Sequence, residues 1–441
     1  MKLPAKLFGI SALIFLGRIG GAGVMFGSQA LIAKWLGTDA LGQYLQANAA
    51  ANLCGGLLPL GFQTIAAYFT AEYASKAMGT SLRSFLRQAY AQTALMAVFV
   101  FLLGTLLLER FLPNNPGITQ NWAQICIFGT AIGFVVTSGG VLNSLKRPLL
   151  GMTADTVLRP LLIAGSLAMV LVPAAASLKV SDMLWFAAGG YFLISLGFIF
   201  VATRFVKRIA TAVDTLPRHE RGRWWNYALP WTLIGLATDF FFDLDLLLLS
   251  GSLNYSEIAV FGVMTRLFSL ASFGVSSVYF VSLPDMFADH ASNNTQSFKA
   301  SLSRTNLVAM GISLMMVLGI VVCGPFALSF FGPDFHQGTL PLVILSLALA
   351  TRCVFGPAAL MLSMHNRPYA ALPSVFIGLI LLVIGNLILV PPMGLYGAAL
   401  AALIAMAAWS ANMWWTTLRL TGTDISIFLP VLALMKAKPA A

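Results

Sequence analysis

Eight ionisable side chains stand in stretches of the sequence that are otherwise apolar: Arg18, Arg159, Arg266 and Arg352, and Asp155, Asp239, Asp243 and Asp245. A guanidinium sheltered from water suits a phosphate or a carboxylate, because its forked donors match two acceptor oxygens at once. Arg18 anchors a polar stripe with Ser11 and Gln29, whose offsets of seven and eleven residues share one helical face. Contact with an anionic substrate, or gating, is the first reading of Arg18; pairing with an internal aspartate is the second. Asp239 and Asp243 are four residues apart and share a face, whereas Asp245 points elsewhere. Two carboxylates that close can hold a proton or sodium ion reversibly, and salt bridging to Arg18 or Arg266 is the competing use. Asp155 and Arg159 have the spacing of an intrahelical ion pair, next to Pro160. Arg266 and Arg352 have no acid within four residues and are assigned to a cavity. Asn48, Asn52 and Gln63 form another stripe, suited to sugar hydroxyls and equally to hydrogen bonds between helices.

The elements that must carry these residues follow from composition. Of 441 residues, 59% are hydrophobic and 9% charged, against about 25% charged in a soluble domain. Apolar segments recur at residues 8–33, 41–70, 86–109, 121–144, 149–174, 182–205, 225–250, 257–283, 304–331, 338–363, 369–391 and 395–418. Each is long enough to cross a hydrocarbon core of about 30 Å as a helix, so the chain is expected to be an all-α integral membrane protein of twelve spans. A charged side chain facing lipid at mid-span costs about 2.5–3.5 kcal/mol on insertion scales. The eight charges must therefore face one another or a hydrated space. The net charge of +11 does not indicate nucleic acid, since Lys and Arg stand between apolar segments and form no aromatic-interleaved patch. Cys54, Cys126, Cys323 and Cys353 are isolated within apolar runs and the four histidines are scattered, so no metal site is expected. Lys2 and Lys6 before an apolar run imitate a signal peptide, but the run continues to Ala33 and is read as a retained helix.

With twelve spans both termini share a side, and the loops on that side hold 19 Lys and Arg against three, Lys34, Arg110 and Lys179, on the other. Positive loops stay in the cytoplasm, which places both termini there. The polar connection around residues 205–224 divides the chain into an N-terminal lobe, 1–210, and a C-terminal lobe, 211–441, the latter ending in a short cytoplasmic or interfacial tail with an apolar patch from Ile425 to Met435. Internal similarity supports two six-helix halves. Leu36-Gly37-Thr38-Asp39-Ala40-Leu41-Gly42-Gln43-Tyr44 precedes Leu253-Asn254-Tyr255-Ser256-Glu257-Ile258-Ala259-Val260-Phe261 by 217 residues, and Ser144-Leu145-Lys146-Arg147-Pro148 precedes Met364-His365-Asn366-Arg367-Pro368 by about 220. An even number of spans per half relates the halves by an axis along the membrane normal, with substrate expected at the interface of the lobes.

With Arg18 in span one, the Leu36-Gly37-x-x-x-Leu41-Gly42-x-Tyr44 loop, Phe261-Gly262-Val263-Met264-Thr265-Arg266-Leu267, Pro284 and Pro392-x-Gly394-Leu395-Tyr396-Gly397, the chain resembles the polysaccharide flippases of the multidrug/oligosaccharidyl-lipid/polysaccharide exporter superfamily. These are the Wzx-like O-antigen and exopolysaccharide translocases. The resemblance implies a V-shaped pair of six-helix bundles that flips an undecaprenyl-pyrophosphate-linked oligosaccharide by alternating access in the bacterial inner membrane, beside polysaccharide polymerase machinery. By position, Arg18, Arg266 and Arg352 with Gln29, Asn48 and Asn52 would hold substrate. Asp239 and Asp243 would bind a coupling proton or sodium ion, with no other cofactor. The chain departs from the fourteen helices usual in lipid II flippases and from the first-helix acid typical of the superfamily's drug exporters. A drug or small-solute antiporter and a membrane enzyme acting on lipid-linked sugars are the alternatives; short outer loops poor in acids and histidines count against the enzyme.

Overall fold

In lipid a backbone N–H or C=O finds no water, so a spanning segment must satisfy its hydrogen bonds within itself. The computed structural model, which describes residues 5–111, 115–170, 179–209, 220–291, 295–365 and 367–428, accordingly contains helices and no strand among those residues. In chain order they are α1 (Ala5–Trp35), α2 (Thr38–Leu57), α3 (Phe62–Ser75), α4 (Gly79–Phe111), α5 (Pro116–Thr119), α6 (Trp122–Ser144), α7 (Pro148–Thr153), α8 (Arg159–Val170), α9 (Val180–Lys207), α10 (Glu220–Thr238), α11 (Phe241–Leu249), α12 (Tyr255–Ala291), α13 (Thr295–Ser329), α14 (Thr339–Phe355), α15 (Ala358–Met364), α16 (Leu372–Met393) and α17 (Leu395–Thr421).

Among the described residues eight helices are by themselves long and apolar enough to cross a membrane, and α2 with α3 makes a ninth, bent by 42°. The other three expected spans are α1 and two broken helices. Span five changes from α7 to α8 through a π-helical turn, Ala154–Leu158, and span seven breaks between α10 and α11 at Asp239 and Phe240. These two broken spans also carry Asp155, Arg159, Asp239, Asp243 and Asp245. Interruptions and charges therefore coincide, as expected where irregular backbone is shielded from lipid by protein or by a hydrated cavity.

The repeat is legible in the backbone. Helix α2 begins at Thr38 and α12 at Tyr255, 217 positions on; α6 begins at Trp122 and α14 at Thr339, again 217 on. Arg147 has φ −122° and ψ 54° before Pro148, and Arg367 has φ −124° and ψ 47° before Pro368. Their amides donate to Leu142 and Leu362, each at 2.9 Å. Two turns with the same dihedrals and the same hydrogen bond are one local structure used twice.

Compactness divides the chain into Met1–Leu247 and Leu248–Ala441. Span seven, first of the second six by sequence, thus packs with the first unit, and named contacts account for this. Arg223 on α10 donates to both carboxylate oxygens of Glu72 on α3, at 3.2 and 2.7 Å, and lies over the Phe69 ring at 5.1 Å. Beside it Tyr73 donates to Glu220 and accepts from Nε1 of Trp224, which is fully buried. At the bend between α2 and α3, Gly61 has φ +82°, and a Cβ there would sit 2.0 Å from the carbonyl oxygen of Ala228. Helices α2 and α6 also meet through small residues: a Cβ on Gly55 would lie 2.5 Å from Ile132, and one on Gly129 would lie 2.5 Å from Cys54.

In the second unit the chain after α17 turns back into the helices. Ile425 and Ser426 are buried, Asn306 of α13 donates to Ile425 O at 2.6 Å, and Ile427 N donates to Val354 O at 2.9 Å, beside the break after α14. Gly356, with φ +74°, leaves room for this strap, since its Cβ would come within 2.0 Å of Ile425 O. The segment expected at an interface therefore begins as a packed strap, and its residues from 429 onward lie outside the described set. Asp424 anchors it, accepting from Trp414 Nε1 at 2.8 Å and from Ser426 N at 2.9 Å. Burial raises the Asp424 pKa, but the hydrogen bonds from Trp414 and Ser426 outweigh it and hold the carboxyl below its ordinary 3.8.

Two outcomes follow. Gly61→Ala forces a Cβ into Ala228 in a left-handed conformation and should destabilise the detergent-solubilised protein by about 1–3 kcal/mol, read as a lowered thermal midpoint. Because the folded pKa of Asp424 is depressed, its contribution is present above pH 3.8 and is lost as pH falls through the folded value. Amides of residues 423–427 should therefore lose hydrogen-exchange protection on acidification below that point, and Asp424→Asn should remove the pH dependence.

Candidate functional site

The site is assembled on α2. Asn48 and Asn52, one turn apart, point the same way, and the guanidinium of Arg159 reaches both: Nη2 donates to Asn48 Oδ1 at 2.9 Å and to Asn52 Oδ1 at 2.7 Å. The amide nitrogen of Asn52 in turn donates to Asp243 on α11, 3.3 Å from each carboxylate oxygen. With its oxygen on a cation and its nitrogen on an anion, Asn52 is oriented unambiguously. It relays between two opposite charges that do not touch. Aromatic rings close the other side. The Arg159 Cζ atom lies 4.9 Å from the Phe128 centroid and 5.9 Å from that of Tyr191, and the two rings meet edge to face at 5.4 Å. The Tyr191 hydroxyl donates to Asp155 Oδ1 at 2.6 Å.

Arg159 and Asp155 thus take different partners, and the ion pair expected from their i, i+4 spacing is replaced by these contacts. The cause is the π turn from Ala154 to Leu158, which inserts the width of about one extra residue into the helix and swings the two side chains apart. Helix α1 packs on the same turn, since a Cβ on Gly21 would fall 1.9 Å from Thr156 O. Both hydrogen bonds of the guanidinium come from Nη2, and Arg159 Nε is buried with no hydrogen-bond partner among the described residues. A buried donor left open costs about 1–3 kcal/mol, and it is where a water or a ligand oxygen would be accepted.

The remaining expected residues are placed as follows. Gln29 is buried on α1, while Arg18 on the same helix is exposed and has no hydrogen-bond or ion-pair partner among the described residues. The Ser11 side chain lies outside the described set. Asp239 is exposed at the break between α10 and α11, Asp243 lies in the first turn of α11, and Asp245 is fully buried. The break means that Asp239 and Asp243 do not belong to one continuous helical face. An acid in the first turn is favourably placed against the helix N-terminus. In the second unit Arg266 on α12 is half-buried and Arg352 on α14 is exposed, neither in an ion pair among the described residues. Gln63 turns back to donate to Gly56 O at 2.9 Å.

Tyr191 and Phe128 had no signal in the linear sequence, being two apolar-span aromatics among many. The Glu72, Tyr73, Glu220, Arg223 and Trp224 cluster was hidden because its second half reads as a polar connection between spans.

No protein-family model matches the chain, and no curated protein matches it by sequence. Solved structures do match over nearly its whole length. An inward-facing multidrug resistance MATE family transporter of the MOP superfamily superposes with a TM-score of 0.72 at 14% identity, covering 95% of this chain and 96% of that one. An inward closed lipid II flippase MurJ gives 0.72 at 14% identity over 98% and 94%. An outward-facing MATE transporter of the same superfamily gives 0.62 at 15% over 97% and 96%. The chain therefore has the fold shared by these membrane transporters, with two six-helix bundles. The likeness at these identities is one of fold.

If Asn52 relays between Arg159 and Asp243, their energies are coupled. A double-mutant cycle of Arg159→Met and Asp243→Asn, read by thermal unfolding in detergent, should give an interaction energy of about 0.5–3 kcal/mol, and changes that add to within about 0.5 kcal/mol would remove the relay.

Proposed function

We propose that this protein moves a polyprenyl-pyrophosphate-linked oligosaccharide across the cytoplasmic membrane by alternating access, in the service of cell-surface polysaccharide synthesis. The observation that carries the reading is the set of cations inside the spans that have no carboxylate partner among the described residues. Arg18 and Arg352 are exposed and Arg266 is half-buried, and lipid contact at that depth would cost about 2.5–3.5 kcal/mol or more for each. They therefore face a hydrated passage, where a guanidinium binds a pyrophosphate through two hydrogen bonds at once. Buried Gln29, and Asn48 and Asn52 around Arg159, supply amides for sugar hydroxyls or hold the helices that line the passage. Asp239, exposed at a helix break, and Asp243, at a helix N-terminus, are the groups for a coupling proton or sodium ion. Lys and Arg bias places both termini in the cytoplasm. MurJ, named a lipid II flippase, shares the fold.

A drug antiporter is the second reading, favoured by the equal likeness to a multidrug resistance transporter. Reconstitution separates the two. With a fluorescent polyprenyl-pyrophosphate oligosaccharide, wild type should flip it, and Arg18→Ala and Arg352→Ala should each slow flipping at least tenfold, an effect of about 1.4 kcal/mol or more. Flipping unchanged in both variants removes these arginines from the passage. Export of cationic dyes with no lipid flipping makes the protein an antiporter.

A further inference from the structure

One strongly charged surface is absorbed neither by the passage nor by helix packing. At the end of the first unit where α6 and α9 finish, Phe205 on α9 holds two guanidinium groups, Arg147 with Cζ at 5.4 Å from the ring centroid and Arg208 at 5.7 Å. The two cations are thus no more than about 11 Å apart, each fixed on the same ring. Lys146, Arg204 and Lys207 adjoin Arg147, Phe205 and Arg208 in the sequence, and all five basic residues are exposed with no ion-pair partner among the described residues. The Arg223 cluster at the same end differs: Arg223 is spent on Glu72 and Glu220. Like charges drawn to one ring repel, and an anion within reach of both relieves that repulsion.

The neighbouring surface says what kind of anion. Leu193, Leu196 and Phe200 are exposed on α9, and at about 100° per residue Arg204, Lys207 and Arg208 continue the same face. Immediately after Arg147 the turn enters α7, where Leu149 and Leu150 are exposed. An exposed apolar stripe on a membrane-length helix that ends in clustered guanidinium and ammonium groups matches a molecule with a hydrocarbon tail and a phosphate head. Soluble anions would use the charges and leave the stripe unused.

We infer that Arg147 and Arg208, both held over Phe205, together with the neighbouring Lys146, Arg204 and Lys207, form a binding site for an anionic phospholipid headgroup, whose acyl chain lies along Leu193, Leu196 and Phe200 of α9. The site uses none of the passage residues and does not depend on what is transported. Each arginine supplies a charge-assisted donor pair to the phosphate, and the ring prevents either from folding away.

The test uses full-length protein in detergent with phosphatidylglycerol or phosphatidylcholine added, and counts retained lipids by native mass spectrometry. Wild type should retain phosphatidylglycerol over phosphatidylcholine. Arg147→Ala/Arg208→Ala should lower phosphatidylglycerol retention at least fivefold and leave phosphatidylcholine unchanged. Lys34→Ala/Arg110→Ala, the same change of charge at the opposite end of the first unit, should stay within twofold of wild type. Phe205→Leu keeps both charges but frees them, and should fall between. Equal losses in the two double variants would reduce the effect to bulk charge and overturn the site, as would unchanged retention in Arg147→Ala/Arg208→Ala. Equal retention of glycerol phosphate without acyl chains would reassign the site to a free anion. Thermal midpoints of all variants, expected to lie near wild type because both arginines are exposed, verify that retention is compared between folded proteins.

Discussion

A cation drawn into the packed helices of a membrane protein must be given oxygen atoms or it will not stay. Arg159 has them: two asparagine carbonyls on α2, with two aromatic faces behind the guanidinium. Much of the first unit is organised around this demand. Helix α2 must present Asn48 and Asn52 one turn apart, α6 and α9 must bring Phe128 and Tyr191 to the same depth, and α11 must deliver Asp243 to the far side of Asn52. The pairing is indirect. Placing an amide between the charges avoids a fully desolvated contact ion pair, whose burial cost can exceed its attraction, while keeping each charge hydrogen-bonded.

The helix interruptions serve the same centre. A π turn in span five separates Asp155 from Arg159 and sends them to different neighbours, and the break in span seven sets Asp243 at a helix start. The bend between α2 and α3 lets Gly61 seat against α10. Uninterrupted helices would have been cheaper in backbone hydrogen bonds. They would also have left Asp155 and Arg159 as a local pair, with nothing to hold Asn52 in place.

Charge is treated differently in the other places where it lies within or beside the spans. Arg223 is neutralised by Glu72 near the end of α3 and by Glu220 on its own helix, and fastens span seven to the first unit. Among the described residues no acid neutralises Arg18, Arg266 or Arg352, nor Arg147 and Arg208, which are gathered on one ring. The first treatment fastens one helix to another; the other two leave cations for the passage and the lipid site proposed above.

The linear sequence by itself determined that the chain is helical, that it crosses a membrane about twelve times, that it repeats after six spans, and which charges lie inside. Hydropathy needs only local composition, and a repeat needs only two similar stretches; Arg147-Pro148 and Arg367-Pro368 were legible as a repeat and have the same backbone. What only the tertiary structure decided was partnership. Spacing placed Asp155 and Arg159 on one face, because it assumes 3.6 residues per turn, and a single wider turn between them undid the assumption. Asn52 and Asp243 are 191 residues apart and were assigned to different tasks. No periodicity relates two helices to each other, so their meeting depends on how glycine contacts, breaks and buried rings set the packing.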